Sequence, residues 1–252
     1  MQTDVRGPGL DVTDIFPLLI LNARPAAGKS EILQFLRQVP GDERRRMFHL
    51  GKLRVFDDFP MLWTWFEEDD LLQDVLGRPR LHTSPDGYFI HADLWHLLVR
   101  RLSLEFDKWQ REALEGWTAV IEFSRGTEHG GYRAAFSHLS DVILSQAACC
   151  YVRVSYAESL RKNRARFNPS RPDSLLQHAL PDEKMDRLYR DDDWESFTAA
   201  DPDYIHIRGF DIPYGVMENE DDVTGRGGSA LADRLHGCLE RLWGKYGSRD
   251  GV

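Results

Sequence analysis

Cysteine is scarce in this chain: three residues in 252, Cys149, Cys150 and Cys238. They have no metal-ligand spacing and no disulfide framework, which speaks against a zinc module and a disulfide-stapled secreted scaffold. Cys149 and Cys150 are adjacent in an apolar stretch that reads as a strand, so they point to opposite faces as small buried groups. Positive charge is also in deficit, with 32 Lys and Arg against 41 Asp and Glu, a net charge of −9. An acidic chain is a poor general binder of nucleic acid or anionic membrane, because both need a basic surface. No basic segment leads into an apolar stretch near Thr3, Asp4, Asp11 and Asp14, and no apolar run is long enough to cross a bilayer. The expectation is a cytoplasmic protein with neither nucleic-acid nor membrane partners. Internal repeats and low-complexity tracts are absent as well.

What is present is a chain that is 42% hydrophobic, enough to fill one large α/β domain. Its most informative stretch is Ile15 to Leu36. The apolar run from Phe16 to Leu21 reads as a buried strand, Ala23-Arg-Pro-Ala-Ala-Gly-Lys-Ser30 as a tight loop, and the residues after Ser30 as a helix with Ile32, Leu33, Phe35 and Leu36 apolar. Strand, loop and helix in this order place backbone N–H groups and the positive end of a helix around one point, where a phosphate is held. Gly28 lets the backbone approach closely, Lys29 can reach phosphate oxygens, and the Ser30 hydroxyl can bind Mg²⁺.

Ala23 to Ser30 resembles the phosphate-binding loop, or Walker A motif, of P-loop nucleoside triphosphatases and kinases, with Ala23 in place of the first glycine. The resemblance implies that Ala23, Arg24, Pro25, Ala26, Ala27, Gly28, Lys29 and Ser30 cradle ATP, with Pro25 at the apex because it has no N–H to donate. Leu53-Arg-Val-Phe reads as a second strand ending in Asp57-Asp58. This run is similar to the Asp-Asp-Phe segment of nucleoside kinases of the uridine kinase type, where an acidic residue orients the acceptor hydroxyl and takes its proton. Asp57 and Asp58 are both candidates, and a helix-capping role for the pair stays open. Trp117 to Gly126 reads as a central strand. Glu122 resembles the acidic residue that holds Mg²⁺ beside the loop, and Arg125 the substrate-contacting arginine that follows it, with a structural ion pair as the alternative.

Ala147 to Val154 reads as a fourth strand. After it the composition turns basic, and Leu160 to Arg166 resembles the arginine-rich lid of this superfamily, spanning about 157–193. Arg161, Arg164 and Arg166 are its candidate phosphate contacts, with Arg161 and Arg164 taken as catalytic. Tyr204 to Arg208 alternates as a fifth strand. Gly209 to Asp222 reads as a loop, with Ile212 and Tyr214 as candidate adenine contacts. Ala230 to Trp243 is a closing amphipathic helix. Trp63, Trp65 and Phe66 read as core residues or an acceptor-pocket wall, Arg44 to Arg46 as a solvated helix face, and His82, His91 and His96 as surface or capping histidines.

Together these imply one domain over 1–252: a three-layer P-loop α/β fold with five mainly parallel strands, helices on both faces and a helical lid. The resemblance implies ATP-dependent phosphoryl transfer to a small hydroxyl acceptor, with Mg²⁺ held by Ser30 and Glu122. A regulatory nucleotide-binding switch and an antibiotic-modifying phosphotransferase remain as alternatives. The chain lacks the guanine-recognition motif of GTPases. The oligomeric state is open, a homodimer included.

Overall fold

Every residue of β1 (Leu18–Ala23) is buried. A strand buried on both faces needs a neighbour on each edge and a layer above and below. In the computed structural model, which describes residues 14–112, 115–166 and 179–249, β3 (Trp117–Phe123) and β4 (Ala147–Arg153) flank β1, both parallel to it. β2 (Lys52–Asp57) extends the sheet beyond β3. β6 (Phe210–Glu218) and β5 (Tyr204–Ile207) extend it beyond β4, giving the order β2-β3-β1-β4-β6-β5.

Alternate residues of β1 serve two apolar layers. Leu18 and Ile20 face a cluster completed by α4 (Leu94–Gln110), α5 (Gly131–Ser137), α6 (Asp141–Gln146) and α9 (Trp194–Thr198), with Leu102, Phe106, Phe136 and Trp194 fully buried. Leu19 and Leu21 face the layer built by α1 (Lys29–Gln38) and α11 (Gly228–Ser248), through Ile32, Leu36, Leu235 and Leu239. Among the described residues no helix is long and apolar enough to cross a membrane.

The sheet has six strands, not the five expected, and the difference lies in Gly209 to Asp222. Pro213 and Gly215 make that run read as a loop, yet it is a nine-residue strand whose two halves pair with different neighbours. Phe210 to Pro213 pair antiparallel with β5, and the ladder with β4 begins at Tyr214. Pro213 therefore sits where its missing N–H leaves no gap in the β4 ladder. Arg208 and Gly209, both at positive φ (51° and 83°), make the two-residue turn between β5 and β6.

Other boundaries differ for local reasons. The run Tyr132 to Leu144 forms two helices, α5 and α6, and Ser140 caps the second by accepting from the Ile143 N–H at 3.4 Å. Arg44, in α2 (Gly41–Phe48), is not simply solvated: its guanidinium donates to the carbonyls of Leu36, Val39 and Gly51 and closes the end of α1. Residues 1–13 of the expected leader, and Pro169, Arg171 and Pro172 of the expected lid, lie outside the described residues.

A buried carboxylate organises the chain between α3 (Asp58–Asp74) and α4. Asp69 is fully buried and accepts from the N–H groups of Leu81, His82 and Thr83 at 2.8, 2.9 and 2.6 Å and from the Thr83 hydroxyl at 2.7 Å. Burial pushes this carboxyl up, but the four hydrogen bonds outweigh it and hold the group below its usual range. Asp69→Ala leaves three amides without an acceptor and is expected to cost about 2–3 kcal/mol. The loss should appear as a lowered Tm together with fast hydrogen exchange confined to Leu81, His82 and Thr83.

Candidate active site

The chain leaves β1 between strands reached by connections to opposite sides, β3 on one edge and β4 on the other. In open α/β sheets that is where a crevice forms outside the carboxyl ends of the strands. The turn from Arg24 to Gly28 occupies it. The Ala27 N–H donates to the Arg24 carbonyl at 3.3 Å, and Ala26 and Gly28 take positive φ values of 57° and 113°. At Gly28 a Cβ would lie 2.4 Å from Thr224 Oγ1, so any other residue would displace α10 (Val223–Arg226), the short helix that follows β6. Among the described residues no acceptor faces the N–H groups of Gly28, Lys29, Ser30 and Glu31. With the α1 dipole behind them, these amides form an anion-binding concavity.

The turn is held from outside by side chains. Asn219 Nδ2 donates to the Ala27 carbonyl at 2.8 Å and to Thr224 Oγ1 at 2.8 Å. Ser159 Oγ donates to the Pro25 carbonyl at 2.7 Å. Arg24 points away from the concavity. It pairs with Asp192 at 3.0 Å and donates to the carbonyls of Tyr189 and Arg190, the former at the end of α8 (Asp182–Tyr189). Its role here is to anchor the turn to the chain that follows the lid segment.

Lys29 stands at the open end of the turn, within electrostatic range of Glu122 and of Asp57, which lies opposite Glu122 in the sheet. The Lys29 ammonium is buried and donates to Ser124 Oγ at 2.7 Å. Burial lowers its pKa, while Glu122 and Asp57 pull it back up. Glu122 stands opposite Leu21 of β1 on one side and Asp57 of β2 on the other. Burial raises the Glu122 pKa against the opposing effect of Lys29, and its Oε2 is buried without a hydrogen-bond partner among the described residues. Asp57 caps α3, accepting from the Phe59 N–H at 3.0 Å. Its carboxyl is pushed up to about 7 by burial, then by Glu122 and Asp58.

Asp58 and Arg125 are differently employed. Arg125 Nη1 lies 2.6 Å from Asp58 Oδ2, and both side chains are buried. The guanidinium also donates to the Ser124 carbonyl at 2.7 Å and lies 5.3 Å over the rings of both Trp95 and Phe123. The expected substrate contact at Arg125 is therefore, in this structure, a structural ion pair. His129, in the 3-10 turn Thr127–His129, stacks on Trp95 at 3.9 Å. Burial first, then Arg125 and His96, lower its pKa to about 3, so it is neutral at any physiological pH.

The lid assignments change. In α7 (Tyr156–Arg166), Arg161 and Arg164 are both exposed. Arg161 pairs with Glu158 and Asp222, and Arg164 pairs with Asp182, so neither reaches the turn. The cations on the inner face are Lys162, which contacts Asp222 Oδ1 at 2.6 Å and Thr224 Oγ1 at 3.0 Å, and Arg166, which reaches Glu31 at 3.1 Å. Ser159, Lys162 and Arg166 are spaced three and four apart, one helical face, and that spacing was available in the sequence. The adenine-contact assignments also fall. Ile212 is fully buried in the core, and Tyr214 packs on Trp194 with its hydroxyl donating to the Asp201 carbonyl. The residues after β6 that touch the turn are Asn219 and Thr224. Nothing local to Asn219 or Ser124 marked them in advance.

The donor set suits Mg²⁺, a cation that takes oxygen ligands. Glu122 offers an unpartnered carboxylate oxygen, and the Ser30 side chain is exposed at the start of α1. Among the described residues no group of three or more His, Cys, Asp or Glu is placed to hold a metal ion. The cation would need phosphate oxygens to complete its shell.

No protein-family model matches the chain, and no curated protein matches it in sequence. Among solved structures it is similar to a gluconokinase from Sinorhizobium meliloti 1021, at a TM-score of 0.43 and 11% identity, over 92% of this chain and 98% of that one. A likeness at that level carries no argument about the site, whose reading rests on its own geometry.

Proposed function

We propose that the protein is a P-loop kinase that transfers a phosphoryl group from ATP to a hydroxyl of a small acceptor. The observation that carries this reading is the amide-lined turn, with Lys29 at its end hydrogen-bonded to Ser124 and with Glu122 and Asp57 side by side at the neighbouring strand ends. A turn of free amides suits the β-phosphate. Lys29 would exchange Ser124 Oγ for phosphate oxygens. Ser30 and Glu122 would hold Mg²⁺, which when bound neutralises charge on the phosphates. Asp57 would orient the acceptor hydroxyl and take its proton as the new bond forms, a task suited to a carboxylate poised near neutral pH. Asp58 keeps Arg125 in place. Arg166, within electrostatic range of Lys29 and Glu122, is the described lid cation best placed to meet developing charge.

The test is ADP release measured with ATP and Mg²⁺ against a panel of nucleosides, sugars, amino alcohols and phenicol antibiotics. Turnover that depends on one acceptor class supports the kinase. Nucleotide binding with acceptor-independent turnover, or with none, favours the regulatory switch. Lys29→Ala should weaken nucleotide binding at least tenfold by calorimetry, in line with losing a charge-assisted hydrogen bond. Unchanged affinity would remove the reading altogether.

A further inference from the structure

Away from the turn, one pair of side chains is placed for covalent chemistry. The sulfurs of Cys150 on β4 and Cys238 on α11 are 3.9 Å apart, and both residues are buried. β6 makes room for this approach: Gly215 stands opposite Cys150 in the sheet, and a Cβ there would lie 3.2 Å from Cys238 Sγ. Cys149 lies in the opposite apolar layer and cannot join them.

Cys238 also lines a cleft of about 310 Å³ with Gly215, Tyr214, Arg153, Arg241 and Lys245. Arg153 is paired with Glu195 and Glu218, and Lys245 with Asp203, while Arg241 has no carboxylate partner among the described residues. The unpaired Arg241 guanidinium and Lys245, both in the cleft lining with Cys238, favour a thiolate there. Of the two cysteines, only Cys238 lines the cleft, so it is the one an incoming reagent meets and the attacking thiol.

We propose that Cys238 and Cys150 form a thiol–disulfide site, reached through this cleft by small anionic disulfides of the oxidised glutathione class. The Cys238 thiolate attacks one sulfur of the incoming disulfide, its S–S bond breaks, and one small thiol leaves. The Cys150 sulfur then attacks Cys238 Sγ, the mixed disulfide breaks, and the second small thiol leaves with the Cys150 proton. Two protein thiols are oxidised to one disulfide, and one small disulfide is reduced to two thiols. The sulfurs must close from 3.9 Å to about 2.05 Å, drawing α11 toward β4. Because Cys150 stands opposite Leu21 of β1, the bond forms one strand away from the phosphate turn.

The test is to incubate the native full-length protein with excess oxidised glutathione, alkylate it, and read intact mass and peptide maps. Wild type should lose the mass of two hydrogens and yield a Cys150–Cys238 peptide pair that dithiothreitol reverses. Cys149→Ala should behave identically, and Cys150→Ala should stop with one glutathione on Cys238. Oxidised wild type should melt several degrees above the reduced form, and Cys238→Ser should lose that shift. Native wild type that stays reduced while the urea-unfolded chain reacts would overturn the site. So would an adduct confined to Cys149, or a Cys238 adduct that never resolves in wild type; both results come from wild type and do not depend on a variant folding.

Discussion

Asp57→Asn is expected to abolish turnover and at the same time to stabilise the protein at alkaline pH. The two effects share one cause. The Asp57 carboxyl is pushed up from its ordinary 3.8 to about 7, chiefly by burial and secondly by Glu122 and Asp58. The folded state therefore holds a proton that the unfolded state releases between those limits. Stability that this group contributes below pH 4 is lost as pH rises through 7, and above 7 the ionised carboxylate is a standing cost. Asparagine keeps the size and caps a helix as well as aspartate does, so the Phe59 N–H keeps its acceptor. A proton held up to about pH 7 sets a ceiling near 4 kcal/mol, and because Glu122 and Asp58 share the site the expected gain is about 1–3 kcal/mol, or roughly 2–10 °C in Tm at pH 8. The gain should vanish at pH 4. It is measured by thermal melts without nucleotide or Mg²⁺. Turnover, read as ADP release with the acceptor found by the panel, should fall about 10²–10⁴-fold, the usual contribution of a general base. In wild type, kcat/KM should rise with pH through a limb near 7. A variant that loses both activity and stability would mean that Asp57 is a structural cap and not the base.

How much of this was visible in the sequence depends on how local each cause was. The phosphate turn was, because strand, tight loop and helix follow one another from Leu18 to Gln38 and need no distant partner. The position of Asp57 and Asp58 at the end of β2 was also legible, but not the division of labour between them. That division comes from Arg125, 67 positions after Asp58, which neutralises one carboxylate and leaves the other. β6 was missed because Pro213 and Gly215 are strand breakers unless the strand changes neighbour between them, which is a property of the sheet and not of the segment. Among the lid cations Arg166 was one candidate of three and Lys162 was not singled out, for a different reason. Composition counts charges without saying which way they face, and the exposed Arg161 and Arg164 have nearby carboxylates on their own side. Asn219 and Thr224, 192 and 196 positions from Ala27 and Gly28, could be found only in three dimensions.

Arg125→Met should destabilise the fold more than any other single change considered, and a second substitution should repair part of the damage. Arg125 is 2% exposed and Asp58 7% exposed, so removing the guanidinium leaves a carboxylate in the core without its counter-charge. Such a loss costs about 3–5 kcal/mol, because desolvation is no longer offset by attraction. For a chain of this size that is roughly 6–20 °C in Tm. The cation–π contacts with Trp95 and Phe123 go as well, although methionine retains some packing against both rings. Asp58→Asn made in the same chain removes the orphaned charge. The double variant should therefore recover about 1–3 kcal/mol relative to Arg125→Met alone, a coupling read from urea or thermal melts of all four proteins. Asp57 is not part of this pair and keeps its place opposite Glu122. The folded double variant should thus retain nucleotide affinity within a fewfold of wild type. A sharp drop in acceptor KM performance with intact stability would reverse the assignment and make Arg125 a substrate contact; additive stability losses in the cycle would mean that the pair does not act as a unit.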